Sequence, residues 1–345
     1  MRDMRKVLFS TSLYLIGGII GILLLESYYQ VVEIELPYHE LNERVGKKMI
    51  PSRRINYFKE GFYLGASNEY GYLGNPYPPV RNNDKIRIAL LGDSYVEGLH
   101  VFEDHHFSKI LEKMLNEDKL IPEYEILNFG MGNYHYNDMV ILYKNFVEEF
   151  NPDILILIVS VRDFMFRDDL FVPSPVLMMD NDSLVIDYSF TSGRTYQLYK
   201  RLSFFFENSC MIKALNNAYK MTKRAEFMQI LFDKFYRSGQ NENELQNPTH
   251  ERIDLDIRVI KSIDWFRDRK VFFVFKEGGS PELMHELDDS GVITFSIESV
   301  LISEFIDKGI HHEYWDVTNT GGHWNHAAQK VVGEYLYRLI KQYEE

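Results

Sequence analysis

Two hydrophobic patterns divide the chain. From Val7 to Leu25 the sequence reads VLFSTSLYLIGGIIGILLL, with no charged residue. As a helix rising ~1.5 Å per residue it would span about 28 Å, close to the thickness of a bilayer's hydrocarbon core. From Ile86 onward the apolar runs are short: IRIALL, YEILNFG, ILILIVSV, VFFVFKE and VITFSI. Longer amphipathic stretches lie among them. HHFSKILEKMLNE places Phe107, Ile110, Leu111, Met114 and Leu115 on one helical face. YNDMVILYKNFVEEF, PELMHELDDSG and the final AAQKVVGEYLYRLIKQYEE also read as helices. Short apolar strands alternating with amphipathic helices predict a parallel sheet covered on both faces, joined by right-handed crossovers.

Two regions break these patterns. Residues 26–85, rich in Tyr, Pro, Gly and Asn, have no sustained period. Their aromatic content is too high for a disordered linker, so they read as a stalk that becomes a strap lying on the main domain. Residues 164–263 interrupt the strand–helix alternation. PSPVLMMDNDSLVIDYSF reads as a hairpin or loop excursion, 196–237 as amphipathic helix with Phe and Tyr on its inner face, and QNENELQNPTHE as a polar loop. Such an insertion near the carboxyl edge of the sheet, where open α/β sheets bind ligands, is either a lid that grips substrate or a structural embellishment. The expected organisation is a cytoplasmic tip and membrane helix (1–25), the stalk and strap (26–85), and an α/β domain (86–345) carrying the insertion.

Charge narrows the function. The 345-residue chain carries a net charge of −13, which argues against nucleic acid as a partner. Arg2, Arg5 and Lys6 precede the apolar stretch and predict a cytoplasmic N-terminus with the remainder outside. The rival reading, a cleaved signal peptide, expects small residues after the apolar core, but Glu26-Ser-Tyr-Tyr-Gln follows. The single cysteine, Cys210, rules out an internal disulfide. No Walker loop, GxGxxG, CxxC or HExxH occurs, so no cofactor or metal is expected. The adjacent pairs His105-His106 and His311-His312 read as solvated histidines, since neighbouring side chains diverge.

The candidate chemistry begins where the first apolar run stops, in IALLGDSYVEG. Ser94 stands between a strand and a helix, near free backbone N–H groups that favour a developing oxyanion. Gly-Asp-Ser alone is also ordinary turn chemistry. Later strand ends carry NFGMGNYHYND and VSVRDF, and GGHWNH precedes the last helix. A serine after the first strand with a histidine before the last helix resembles the SGNH hydrolases, or GDSL esterases, from about Ile86 to the C-terminus apart from the insertion. The resemblance implies a flavodoxin-like three-layer α/β/α sandwich. It also implies Ser94 as nucleophile and oxyanion donor, Gly132 or its neighbour Asn133 as a second donor, and His323 as general base.

Two blocks depart from the family. Where it has Gly-x-Asn-Asp, this chain has Ser160-Val161-Arg162-Asp163, so Arg162 takes the place of the oxyanion asparagine. Where it places an acid two or three residues before the histidine, this chain has Thr320 and Gly321. Asp316 is the nearest upstream acid able to orient His323; otherwise a backbone carbonyl does so. Trp324 is a candidate for stacking on a sugar face, with core packing as the alternative, and Asn325 is expected to cap the last helix. The resemblance implies a membrane-anchored serine acyl hydrolase or O-acyltransferase working through an acyl-serine. The expected substrates are acetyl or other acyl esters of an envelope or extracellular polysaccharide. A catalytically silent domain that binds glycan or an export partner is the alternative, and a lipid esterase a third.

Overall fold

The computed structural model describes residues 2–32, 37–58, 60–80, 85–117, 123–164, 174–223, 256–279 and 281–344. These fall into two compact units, one formed by Met1–Pro37 and Leu202–Arg252, the other by Tyr38–Arg201 and Ile253–Glu345.

The first unit holds helix α1, Arg2–Val32, which continues past the expected end at Leu25. It is long and apolar enough to cross a membrane. In the larger unit the strap forms two antiparallel hairpins, β1 (His39–Asn42) with β2 (Gly46–Met49) and β3 (Arg54–Tyr57) with β4 (Tyr63–Ala66). Four-residue strands are too short to print a readable alternation, which is why this region shows no period in the sequence. It is nonetheless anchored: Val45, Met49, Ile55, Tyr63, Tyr72 and Leu73 are buried in the core.

The main sheet contains β5 (Lys85–Gly92), β6 (Glu123–Asn128), β7 (Ile154–Ser160), β10 (Lys270–Glu277) and β11 (Ile293–Ser296), in the order β6-β5-β7-β10-β11. All four pairings are parallel. By order along the chain these strands run 2-1-3-4-5, the flavodoxin-like arrangement, whose ligand crevice lies at the switch point beside the first strand. Strand alternation divides the core into two faces. Ala89, Leu91, Leu155, Leu157, Phe273 and Phe275 face one apolar layer. Ile88, Leu90, Ile156, Ile158, Phe272 and Val274 face the other.

The short helix α2 (Ser94–Glu97) follows β5 and helix α3 (Phe107–Glu117) follows it, while α4 (Tyr136–Asn145) links β6 to β7. Residues of α3 and of the C-terminal helix His326–Glu344 line the second layer, and α4 joins the strap in the first. The expected excursion appears as the hairpin β8 (Val176–Asp180) and β9 (Ser183–Asp187). Helices α5 (Arg194–Asn208) and α6 (Cys210–Lys223) follow. Tyr196 is buried as expected, but Phe204, Phe205 and Phe206 are exposed, so the apolar face of this segment does not point inward throughout. QNENELQNPTHE and the end of the anticipated helix to 237 lie outside the described residues.

Candidate active site

The Gly-Asp-Ser turn is built by close packing at the end of β5. A Cβ on Gly92 would fall 2.3 Å from a Val96 methyl, so only glycine lets α2 fold back on the strand. Asp93 caps α2, its side chain accepting from the Tyr95 N–H. Its carboxylate also pairs at 2.5 Å with the buried ammonium of Lys276, from β10. Ser94 is thus the first residue of α2, half-buried, with its position set from both sides.

His323 meets it from the loop before the C-terminal helix. Ser94 Oγ lies 2.6 Å from His323 Nε2. The other ring nitrogen, Nδ1, lies 2.8 Å from Glu60 Oε2, which also accepts the His323 backbone N–H at 2.9 Å. Burial pushes the Glu60 carboxyl up, but the two hydrogen bonds from His323 and the nearby imidazoles outweigh this and hold it below the ordinary value. An ionised carboxylate only accepts, so Nδ1 carries the proton and Nε2 accepts from the serine hydroxyl. The arrangement is a Ser–His–Glu chain.

The carboxylate on His323 therefore comes from the strap, 263 residues upstream. Asp316, expected in this role, is exposed, and Glu60 occupies the hydrogen-bonding position it was to fill. The Gly-Gly before His323, which lacks an acid, has its own reason. A Cβ on Gly322 would lie 2.4 Å from the Glu60 carboxylate, so glycine leaves the space that the acid enters. Gly61 and Phe62 pin the same strap segment, since Phe62 N–H bonds the His100 carbonyl at 3.1 Å and a Gly61 side chain would collide with it. Glu60 carries no sequence signal of its own; the two glycines beside the histidine are the nearest trace of it.

Aromatic packing holds the base. The His100 ring stacks on His323 with centroids 3.9 Å apart and planes 12° from parallel. His100 is buried and lies 3.7 Å from Glu60. Burial, with the neighbouring His323, lowers its pKa to about 4, so it stays neutral. Tyr95 packs 4.7 Å from His323 and donates its hydroxyl to Glu313. Trp315 Nε1 donates to the His323 carbonyl at 2.9 Å. Trp324 is 1 % exposed and packs edge-on to Tyr95 and Phe107, so it is a core residue and offers no face to a sugar. Asn325 caps the C-terminal helix as expected, accepting from the N–H groups of Ala327 and Ala328. His106, read as solvated, is buried, and burial lowers its pKa to about 3.

The expected oxyanion donors divide. The Ser94 N–H stands at the start of α2. The Gly132 N–H instead hydrogen-bonds the buried Glu97 carboxylate, which also holds His39 Nε2 at 2.8 Å, while Lys47 bonds the Gly132 carbonyl at 2.8 Å. Gly132 is thereby committed to the strap. Asn133, exposed and left-handed at φ 63°, follows it on the same loop. Arg162 lies exposed on the turn after β7. Asp163 turns back to accept from the N–H and hydroxyl of Ser160.

Glu60, His100 and His323 also carry ligand atoms within 4.8 Å of one another, close enough to surround a cation. Both nitrogens of His323 are already hydrogen-bonded, and a cation would have to displace Glu60 from Nδ1. Ser94 and Glu60 thus occupy the two ring nitrogens of His323.

No family model and no curated protein matches the chain. Solved structures similar to it include an acetyl xylan esterase at 12 % identity and TM-score 0.39, covering 74 % of this chain and 100 % of that one. TesA is similar at 10 % identity and TM-score 0.39, covering 74 % of this chain and 98 % of its own. A two-domain esterase active on acetylated mannans is similar at 12 % identity and TM-score 0.37, with 75 % of this chain matched to 49 % of that one. These likenesses are too distant to transfer an activity.

Proposed function

We propose that the chain is a serine acyl hydrolase or O-acyltransferase of the SGNH type. The observation that carries this reading is the continuous hydrogen-bonded chain from Ser94 Oγ through both nitrogens of His323 to Glu60. In this reading His323 Nε2 takes the serine proton as Oγ attacks an ester carbonyl. The Ser94 and Asn133 backbone N–H groups receive the oxyanion. The intermediate collapses as His323 returns the proton to the departing alkoxide, leaving an acyl-serine. Water or a sugar hydroxyl then gives its proton to His323 and attacks the acyl carbon. The second intermediate collapses with the acyl–Oγ bond breaking and His323 returning that proton to Ser94, which releases the acid or the acylated sugar. Glu60 fixes the tautomer throughout and stabilises the imidazolium.

Helix α1 supports a single-pass anchor with the N-terminus in the cytoplasm and the catalytic domain outside. A domain held there meets envelope or extracellular polysaccharide, and we assign acetyl or other acyl esters of such glycans as its substrates. Glu60 answers the main objection to activity, the acid missing beside His323.

The test is turnover of an activated acetyl ester by the full-length protein in detergent, with fluorophosphonate trapping. Wild type is expected to turn over and label, and Ser94→Ala to do neither, with a loss on the order of 10⁴–10⁶ in kcat. A wild type that neither labels nor turns over would favour a silent glycan-binding domain.

A further inference from the structure

The end of α5 and the start of α6 carry an apolar surface that the catalytic reading does not use. Phe204 is 71 % exposed, Phe205 56 % and Phe206 38 %, with Leu202 at 38 % and Leu215 at 59 %. Consecutive residues on a helix step by about 100°, so three adjacent phenylalanines make more than half of its circumference apolar. Water is an unfavourable surrounding for such a turn.

The position of this turn is set by α1. Glu26, the first charged residue after the uncharged stretch, accepts from Ser209 Oγ at 2.7 Å, the Cys210 N–H at 2.9 Å and the Met211 N–H at 3.2 Å. One carboxylate on α1 therefore caps α6. Lys6 and Glu26 are separated by about 30 Å along a helix, one hydrocarbon thickness. With Lys6 at the inner boundary, Glu26 lies at the outer one, and Ser209 lies there with it. Phe205 is four residues before Ser209, only about 6 Å along α5. An anchor placed in this way would hold the phenylalanines at the depth where acyl chains meet headgroups.

Charge selects the same partner. Between Leu202 and Lys223 the basic residues are Lys213, Lys220 and Lys223, and the only acid is Glu207, in a chain of net charge −13. Aromatic and aliphatic residues interleaved with lysine characterise helices that lie in the surface of an anionic bilayer.

We propose that the α5–α6 junction is an interfacial foot, inserted into the outer headgroup layer of an anionic bilayer beside the anchor. The proposal rests on the reading of α1 as a membrane anchor, and its test separates the two. Full-length protein is reconstituted into vesicles of phosphatidylethanolamine and phosphatidylglycerol. Nitroxide labels are placed singly at Phe205→Cys, Leu215→Cys and Ile20→Cys, with unsubstituted protein as the blank, because Cys210 is fully buried. Collisions with oxygen, which enters lipid, are compared with collisions with a water-soluble nickel chelate. The expected result is a several-fold excess of oxygen over nickel collisions at 205 and 215, deeper still at 20. A label at 20 that is deep, with labels at 205 and 215 open to nickel, overturns the foot and leaves the anchor standing. Labels at 205 and 215 shielded from both reagents place them against protein, such as a second copy, and also overturn it. A label at 20 open to nickel overturns both.

Discussion

Ser94 and His323 reach the site from the ends of regular elements, one at the close of β5 and the other just before the C-terminal helix. Glu60 reaches it from the loop between two strap strands of four residues each. Backbone geometry brings Ser94 and His323 together: a buried strand, a tight glycine turn and a capped helix. The strap holds the Glu60 carboxylate through side-chain packing, with Ile55, Tyr63, Tyr72 and Leu73 buried on one face of the sheet. It also reaches the end of α2 and the loop after β6, where His39 bonds Glu97 and Lys47 bonds the Gly132 carbonyl. The strap therefore both covers one face of the sheet and supplies the carboxylate at His323 Nδ1.

The comparison breaks most sharply at Glu60. Glu60→Gln keeps the shape of the side chain but favours the wrong tautomer of His323. A fall in kcat/KM on the order of 10³–10⁴ is expected with the melting temperature little changed. Asp316→Asn should leave kcat/KM at the wild-type value. Gly322→Ala should approach the Glu60→Gln loss, because its methyl would fall where the carboxylate sits. Equal losses from Asp316→Asn and Glu60→Gln would return the acid to the loop before His323.

Acid stability sharpens the contrast. His100, packed against His323, has its pKa lowered from 6.5 to about 4 by burial first and by His323 next, while Glu60 and Glu97 oppose the shift and His106 is a further titratable neighbour. The unfolded chain binds a proton at this residue below pH 6.5 and the folded one does not, so stability is lost as pH falls from 6.5 to about 4. Near pH 5 this amounts to roughly 2 kcal/mol. The Glu60 carboxyl, held below its ordinary value, adds a loss in the same direction at still lower pH. Urea unfolding near neutrality and near pH 5 should show the loss, and His100→Phe, which keeps a ring against His323, should reduce it. An unchanged loss in that variant would assign it to other groups, His106 first among them.

The smallest effect is expected at Arg162. Its exposure on the turn after β7 predicts that Arg162→Ala changes kcat/KM by no more than about twofold, as for a surface substitution. A loss of a hundredfold would bring the guanidinium into the oxyanion site after all.

Much of this was readable along the chain. The strand runs in IRIALL, ILILIVSV and VFFVFKE, the GDS turn, the histidine ahead of the last helix and its Asn325 cap are signals of a few adjacent residues. They express local sterics and periodicity, which act within one or two turns of backbone. The outward-facing phenylalanines of α5 and the burial of Trp324 and His106 were not readable, because a side chain's surroundings are set by whichever distant element packs there.

Glu60 is the clearest case. Nothing beside it marks it as an acid for catalysis, and its partner is 263 residues away. Only folding the strap over the sheet edge brings the carboxylate into the space left by Gly322. A hydrogen bond depends on ångström-scale proximity in space, and separation along the chain says nothing of that.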